Sequence, residues 1–152
     1  MKRSWLIFTI QMVSLIMACE LVVLGQMKPS DAQKADTIEY TIENCLNEFS
    51  TGKIEKTEAG YQYWFVNKVL ADGKTLKMSV VKPHSATHAP HSHPEEEFFF
   101  VLEGKVEFSL NGRTRVVGPF SSLYCPPNVE HGIRNVGDQE AKYLVVKKYE
   151  KK

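Results

Sequence analysis

His91-Ser92-His93-Pro94-Glu95-Glu96-Glu97 is the stretch on which the reading of this 152-residue chain turns. Two imidazoles two residues apart project from one face of an extended strand, and Glu97 keeps the same parity across Pro94. Downstream, Pro126-Pro127-Asn128 makes a turn before His131, which opens an apolar-patterned segment ending at Asn135. Two nitrogens, a carboxylate and a third nitrogen then converge inside a barrel. Imidazole suits Zn, Fe, Ni and Cu, and a carboxylate adds an anionic oxygen, so His91, His93, Glu97 and His131 describe a first-row metal site. The cofactor expected is one divalent transition metal, Zn, Fe, Mn, Ni or Cu. Such a cluster in an apolar cavity is costly unless it is paired or metallated. Four of the five histidines, His84, His88, His91 and His93, fall within ten residues, a concentration that random scatter seldom produces. His84 and His88 precede the metal stretch and read as a polar loop, with a contact to the ligands or the substrate as the sharper alternative. Glu95 and Glu96 read as solvated.

Around this stretch the pattern is that of an antiparallel β protein: short segments rich in Val, Phe, Tyr and Trp, separated by turn residues. Strands are predicted near Tyr61 to Val69, Leu76 to Val81, Glu97 to Leu102, Lys105 to Leu110, Arg113 to Val117, Ser121 to Cys125, His131 to Asn135 and Ala141 to Lys148. Asp72-Gly73 and Asn111-Gly112 supply the positive φ angles of tight hairpins, and Val106, Phe108 and Leu110 alternate into the second. Phe98, Phe99, Phe100, Val101 and Leu102 form a continuous apolar run, so both faces of that strand need cover. One face would line the barrel and the other would meet the N-terminal segment or a second subunit. Tyr61, Tyr63 and Trp64 read as core or rim. Thr37 to Phe49 is open between two readings: Ile38, Ile42, Leu46 and Phe49 fit a helical stripe, while the β-branched residues also permit a strand. Met27 to Asp36 is polar with one Pro and reads as a linker or arm.

These residues resemble the cupin superfamily. Its first motif, Gly, five residues, His-x-His, three or four residues, Glu, six residues, Gly, is matched by His91, His93, Glu97 and Gly104, with Ser85 in place of the opening Gly. The second, Pro-x-Gly-x-x-His with Asn four residues on, is approximated by Pro126, Asn128, His131 and Asn135. Asn for Gly is tolerable at the turn because Asn also visits the left-handed region. Gly118 lies two positions too early for the start of that motif. Lys105 to Pro119, about 15 residues, separates the motifs, as in small microbial cupins. The resemblance spans Tyr61 to Val146. It implies an all-β fold, a jelly-roll cupin barrel, with the four residues named above as metal ligands, and dimers that pack sheet against sheet.

Composition narrows the function. The chain is 43% hydrophobic and 24% charged, within the range of one compact domain, and its length argues against two full domains. With 19 Lys plus Arg against 18 Asp plus Glu, and no basic stripe interleaved with aromatics, nucleic acid is not the expected partner. Three cysteines far apart, Cys19, Cys45 and Cys125, make neither a disulfide scaffold nor a zinc finger. Cys45 and Cys125 could pair in an oxidising compartment, but spacing does not give connectivity. Lys2 and Arg3 before the apolar run Trp5 to Ala18 look like a secretory signal. Ile16-Met17-Ala18-Cys19 resembles a lipobox, and Val23-Leu24-Gly25 satisfies a small-residue cleavage site. An uncleaved anchor is the competing reading, because the run to Leu24 approaches the ~20 residues of a membrane span. The organisation expected is therefore a signal over 1–25, an N-terminal arm over 26–60 and a barrel over 61–148. Export to the periplasm or cell envelope follows, with membrane attachment through Cys19 if it is lipidated.

The function expected is a metal-dependent enzyme acting on a small carbonyl or sugar-derived substrate. Four protein ligands leave open positions on a six-coordinate metal, where a substrate oxygen could be polarised. Exported single-domain cupins resemble proteins that linearise unsaturated uronates from polysaccharides, an isomerase- or lyase-like activity; there the Glu position is often Gln, so Glu97 departs from that group. The same ligand set resembles cupin dioxygenases. A non-catalytic sugar or metal sensor is the alternative from another class, since no acid or base apart from the ligands can be assigned.

Overall fold

The computed structural model describes residues 39–150; the expected signal, Cys19 and residues 26–38 of the expected arm lie outside the described residues. The stretch left open between helix and strand forms one helical turn, α1 (Ile42–Cys45). Thr41 caps it, its hydroxyl accepting from the Asn44 amide at 3.4 Å while the Asn44 side-chain oxygen accepts from the Thr41 amide at 3.1 Å. A 3-10 turn, Thr51–Lys53, follows. The remaining elements are strands: β1 (Glu55–Thr57), β2 (Gly60–Ala71), β3 (Lys74–Val81), β4 (Glu97–Glu103), β5 (Val106–Leu110), β6 (Arg113–Val117), β7 (Ser122–Cys125), β8 (His131–Asn135) and β9 (Ala141–Lys148). β6, β8 and β9 have the bounds read from sequence. β1 has no sequence signature, because Glu-Lys-Thr is exposed throughout and carries no apolar alternation.

The strands form two antiparallel sheets, β1-β2-β3-β9-β4-β7 and β6-β5-β8, the two layers of a jelly roll. Both hairpin turns form where Asp72-Gly73 and Asn111-Gly112 take positive φ, at +54° and +83° and at +48° and +74°. Gly104, at φ +86°, closes β4 against the start of β9. A Cβ there would stand 2.7 Å from the Ala141 Cα, which no side chain tolerates. Asn128, standing where the motif has Gly, adopts φ +60°.

Alternation along the strands sorts residues to the two faces of the larger sheet. Val81, Phe99, Val101, Tyr143 and Val145 point inward to meet Val106, Phe108 and Ile133 of the smaller sheet, and this is the main core. On the outer face Tyr63, Met78 and Val80 make a second cluster with Ile54, Tyr61, Phe65 and Leu144. The segment before β1 holds this cluster down: the Tyr63 hydroxyl lies within hydrogen-bond distance of the Asn47 side-chain oxygen, at 2.6 Å, and of the Glu48 carbonyl, at 2.8 Å. Further along the same face Phe98, Phe100, Tyr124 and Val146 stand exposed. The continuous apolar run of β4 is thus buried on its inner face and open at Phe98 and Phe100.

Inner-face register positions the chemistry. Glu97 sits directly between Cys125 of β7 and Lys147 of β9, with Thr75 of β3 beyond. The next row inward runs Leu123, Phe99, Val145, Lys77, Trp64.

Candidate metal centre

His131 opens β8 and is fully buried. His91 faces it across an isolated antiparallel bridge, and His93 follows in the loop that leads into β4. His91 and His93 do not project from one face of a continuous strand, as their spacing suggested. Pro90 and Pro94 flank the pair, and a residue without an amide hydrogen cannot extend a ladder. Convergence comes from the loop instead. One ring nitrogen from each of His91, His93 and His131 lies within 4.8 Å of the others.

Each ring is oriented by the backbone. Nδ1 of His91 donates to the Ala89 carbonyl at 3.0 Å, that of His93 to the Glu95 carbonyl at 2.8 Å, and that of His131 to the Val129 carbonyl at 2.8 Å. A carbonyl can only accept, so the proton of each neutral imidazole is on Nδ1 and its lone pair is on Nε2. The Glu97 side chain is 10% exposed, and its Oε2 stands 3.3 Å from the His93 Nε2 and 3.2 Å from the His131 Nε2. With both rings neutral, these lone pairs face a carboxylate oxygen with no hydrogen between them. A cation resolves that arrangement, and backbone-oriented imidazoles beside a carboxylate are the chemistry of a divalent transition-metal site. The residues present fit such an ion. All four sequence-predicted ligands are brought together: three histidines as a cluster and Glu97 against two of them.

The surroundings hold residues that sequence reading did not assign. A cavity of about 110 Å³ opens beside the cluster, lined by His91, His93, Glu97, Lys77, Ser79, His88, Tyr143 and Lys147, among others. That volume suits a small organic molecule. His88 stands at its rim, its ring 5.7 Å from that of His91, and partial burial pushes its pKa down, with His91 adding to the effect. His84 is outside, paired with Asp138 at 2.9 Å on the surface. Burial pushes the Tyr143 hydroxyl up, opposed by hydrogen bonds with Thr87 and Ser79. Burial pulls the Lys77 ammonium down; Glu97 counters this and Lys147 adds to it. The signal for Lys77 and Lys147 lay in strand parity: each keeps the inward phase of its strand, with Ser79 and Val81 or with Tyr143 and Val145. Glu95 is not simply solvated, since its carboxylate lies 3.4 Å from the His93 Nδ1 and 3.6 Å from the Lys147 Nζ.

Asn135 is buried but turned away from the histidines. Its Nδ2 lies within hydrogen-bond distance of the carbonyls of Val81, Lys82 and Gln139, at 2.8–3.0 Å, and its Oδ1 accepts from the Gly137 amide at 2.9 Å. It fastens the end of β3 to the turn before β9. Cys45 is exposed and Cys125 buried, each a free thiol.

Comparison with known proteins agrees with this architecture. Residues 77–147 match the family model described as Cupin domain. A Bacillus subtilis protein named H2HPP isomerase is 33% identical over 101 residues, 66% of this chain and 41% of that protein. A Streptomyces cyaneus protein named Polyketide synthase CurC is 43% identical over 70 residues, 45% of each chain. The chain thus spans less than half the length of these curated relatives. Among solved structures, the polyketide cyclase RemF from Streptomyces resistomycificus superposes with a TM-score of 0.57 at 22% identity, covering 68% of this chain and 79% of its own.

Proposed function

The chain carries a cupin-superfamily domain over residues 77–147, and on that premise we propose that it is a metal-dependent enzyme acting on a small carbonyl compound. The observation that carries the reading is the Glu97 Oε2 set 3.2 Å from the His131 Nε2 and 3.3 Å from the His93 Nε2, beside a cavity of small-molecule size. A divalent ion held by His91, His93, Glu97 and His131 would supply Lewis acidity toward a substrate oxygen. The protein's own groups do the rest. His91 is the exposed member of the cluster and marks the open approach, while His131 closes the inner side. Tyr143, held by hydrogen bonds with Ser79 and Thr87, lines the same cavity and keeps its hydroxyl neutral. His88, whose pKa burial and His91 hold down, adds a neutral imidazole at the rim.

Similarity to proteins named as an isomerase and a polyketide synthase supports an enzyme. A sugar-derived carbonyl compound, including an unsaturated uronate, is within the substrate class proposed. Export remains part of the proposal, resting on Lys2, Arg3 and the apolar run that follows. The test is incubation of metal-loaded protein with excess carbonyl sugars and 2-oxo acids, followed by NMR of the products and by oxygen uptake. Conversion that chelation abolishes, without oxygen consumption, supports the isomerase- or lyase-like reading. Stoichiometric oxygen uptake replaces it with a dioxygenase, and binding without conversion across the panel replaces it with a sensor.

A further inference from the structure

Lys77 is the residue of the cavity that the metal centre leaves without a task. It sits on the inner face of β3, one register row inside the row of Glu97, between Trp64 and Val145. A lysine in a half-buried strand among apolar neighbours is an expensive choice unless its charge is used. Its Nζ lies 5.3 Å from the Trp64 ring centroid. Glu97 and Glu55 act on it through space rather than in a salt bridge. Glu97 is engaged with His93 and His131, and Glu55 accepts hydrogen bonds from Gln62 and Trp64. The other cavity lysine is already matched, since Lys147 lies 3.6 Å from Glu95 and 5.0 Å from the Tyr149 ring centroid. Among the described residues, Lys77 is therefore the cavity cation with no carboxylate in salt-bridge distance.

We propose that the substrate carries a carboxylate and that Lys77 is the specificity residue that binds it, placing the neighbouring carbonyl toward His91, His93 and His131. This rests on the carbonyl-compound reading above and narrows it to small oxo acids, including acids derived from sugars. The arrangement is a two-point grip. The carboxylate takes Lys77 while the carbonyl oxygen faces the histidine cluster, in a cavity of about 110 Å³ whose apolar wall includes Phe99, Ile133 and Val145. Binding both ends fixes the carbon between them, which is where an isomerase or lyase must move a proton.

Calorimetric titration of the metal-loaded protein with 2-oxo acids from pyruvate to phenylpyruvate, each against its methyl ester, tests the proposal. Inorganic phosphate serves as the competing anion. The intact protein should prefer acid over ester by about 10-fold or more, the scale of one charge-assisted hydrogen bond. Lys77→Met should bring that preference to within about twofold while elemental analysis finds its metal content unchanged, and Lys77→Arg should retain most of it. Equal affinities for acid and ester in the intact protein overturn the proposal, and that comparison does not depend on how the variants fold. So does an undiminished preference in folded Lys77→Met, phosphate binding tighter than every acid, or no binding by any acid. Acid binding lost in Lys77→Met but with no turnover of any acid leaves Lys77 assigned and removes the enzyme reading instead.

Discussion

The backbones of His91 and His131 exchange two hydrogen bonds, His91 donating to the His131 carbonyl at 3.0 Å and His131 to the His91 carbonyl at 2.9 Å. This one bridge ties the loop before β4, in the larger sheet, to the first residue of β8, in the smaller. Ligands from distant parts of the chain are thereby set face to face before any ion binds, with ring centroids 5.1 Å apart. The ordering cost of the site is carried by the fold, which favours a tightly held metal.

Substitution His93→Ala should release most of the metal. It removes a nitrogen that its Nδ1 bond to the Glu95 carbonyl holds in place. The loss in affinity should exceed the roughly 10–100-fold that changes in the groups supporting a ligand produce. Elemental analysis of parent and variant after identical dialysis reads it, and equal metal in both contradicts the assignment.

Glu97→Gln keeps the shape of the side chain and removes its charge. The variant should fold and bind metal more weakly than the parent, and Lys147, its cross-strand neighbour, should tolerate the change because Glu95 holds it. Circular dichroism with a competitive chelator titration separates folding from affinity.

Asn135→Ala should cost about 3 kcal/mol of stability, since it leaves buried carbonyls and the Gly137 amide without their partner. Urea unfolding measures this, and the metal content of the folded fraction should equal that of the parent. This separation distinguishes a fastening role from a ligand role for a residue that the motif alone groups with His131.

Cys125 should resist alkylation in the folded protein while Cys45 reacts. Burial, with the charge of Glu97 adding to it, pushes the Cys125 thiol up to about 12. A raised folded-state value means the neutral thiol is favoured by folding. Its contribution is complete below the unfolded value of about 9 and is lost as pH rises toward 12. Cys125→Ala should therefore flatten part of the alkaline decline in stability. Mass mapping of iodoacetamide adducts, together with unfolding curves at several alkaline pH values, checks both outcomes.

The sequence made the barrel strands and the histidine cluster legible because both are carried by local signals: period-two alternation, two glycine turns, and histidines at fixed offsets. The structure adds what local signals cannot carry. Lys77 and Lys147 look like ordinary surface lysines until β3–β9 pairing places them on the inner face of one sheet. Glu95 looks solvated until folding brings Lys147 beside it. β1 and α1 are too short and too polar for periodicity to mark. The His-x-His pair converges through a loop between two prolines, so strand parity gave the right partners for a different geometric reason.

Titrating divalent metal into chelated protein while following conversion of a small oxo acid shows whether the four-residue cluster makes this domain a metal-dependent enzyme. Turnover should be absent in the chelated protein, rise with each addition and saturate at one ion per chain, and His93→Ala should fail to recover it. No conversion at full occupancy of one ion per chain, or conversion that persists in the chelated protein, would contradict that assignment.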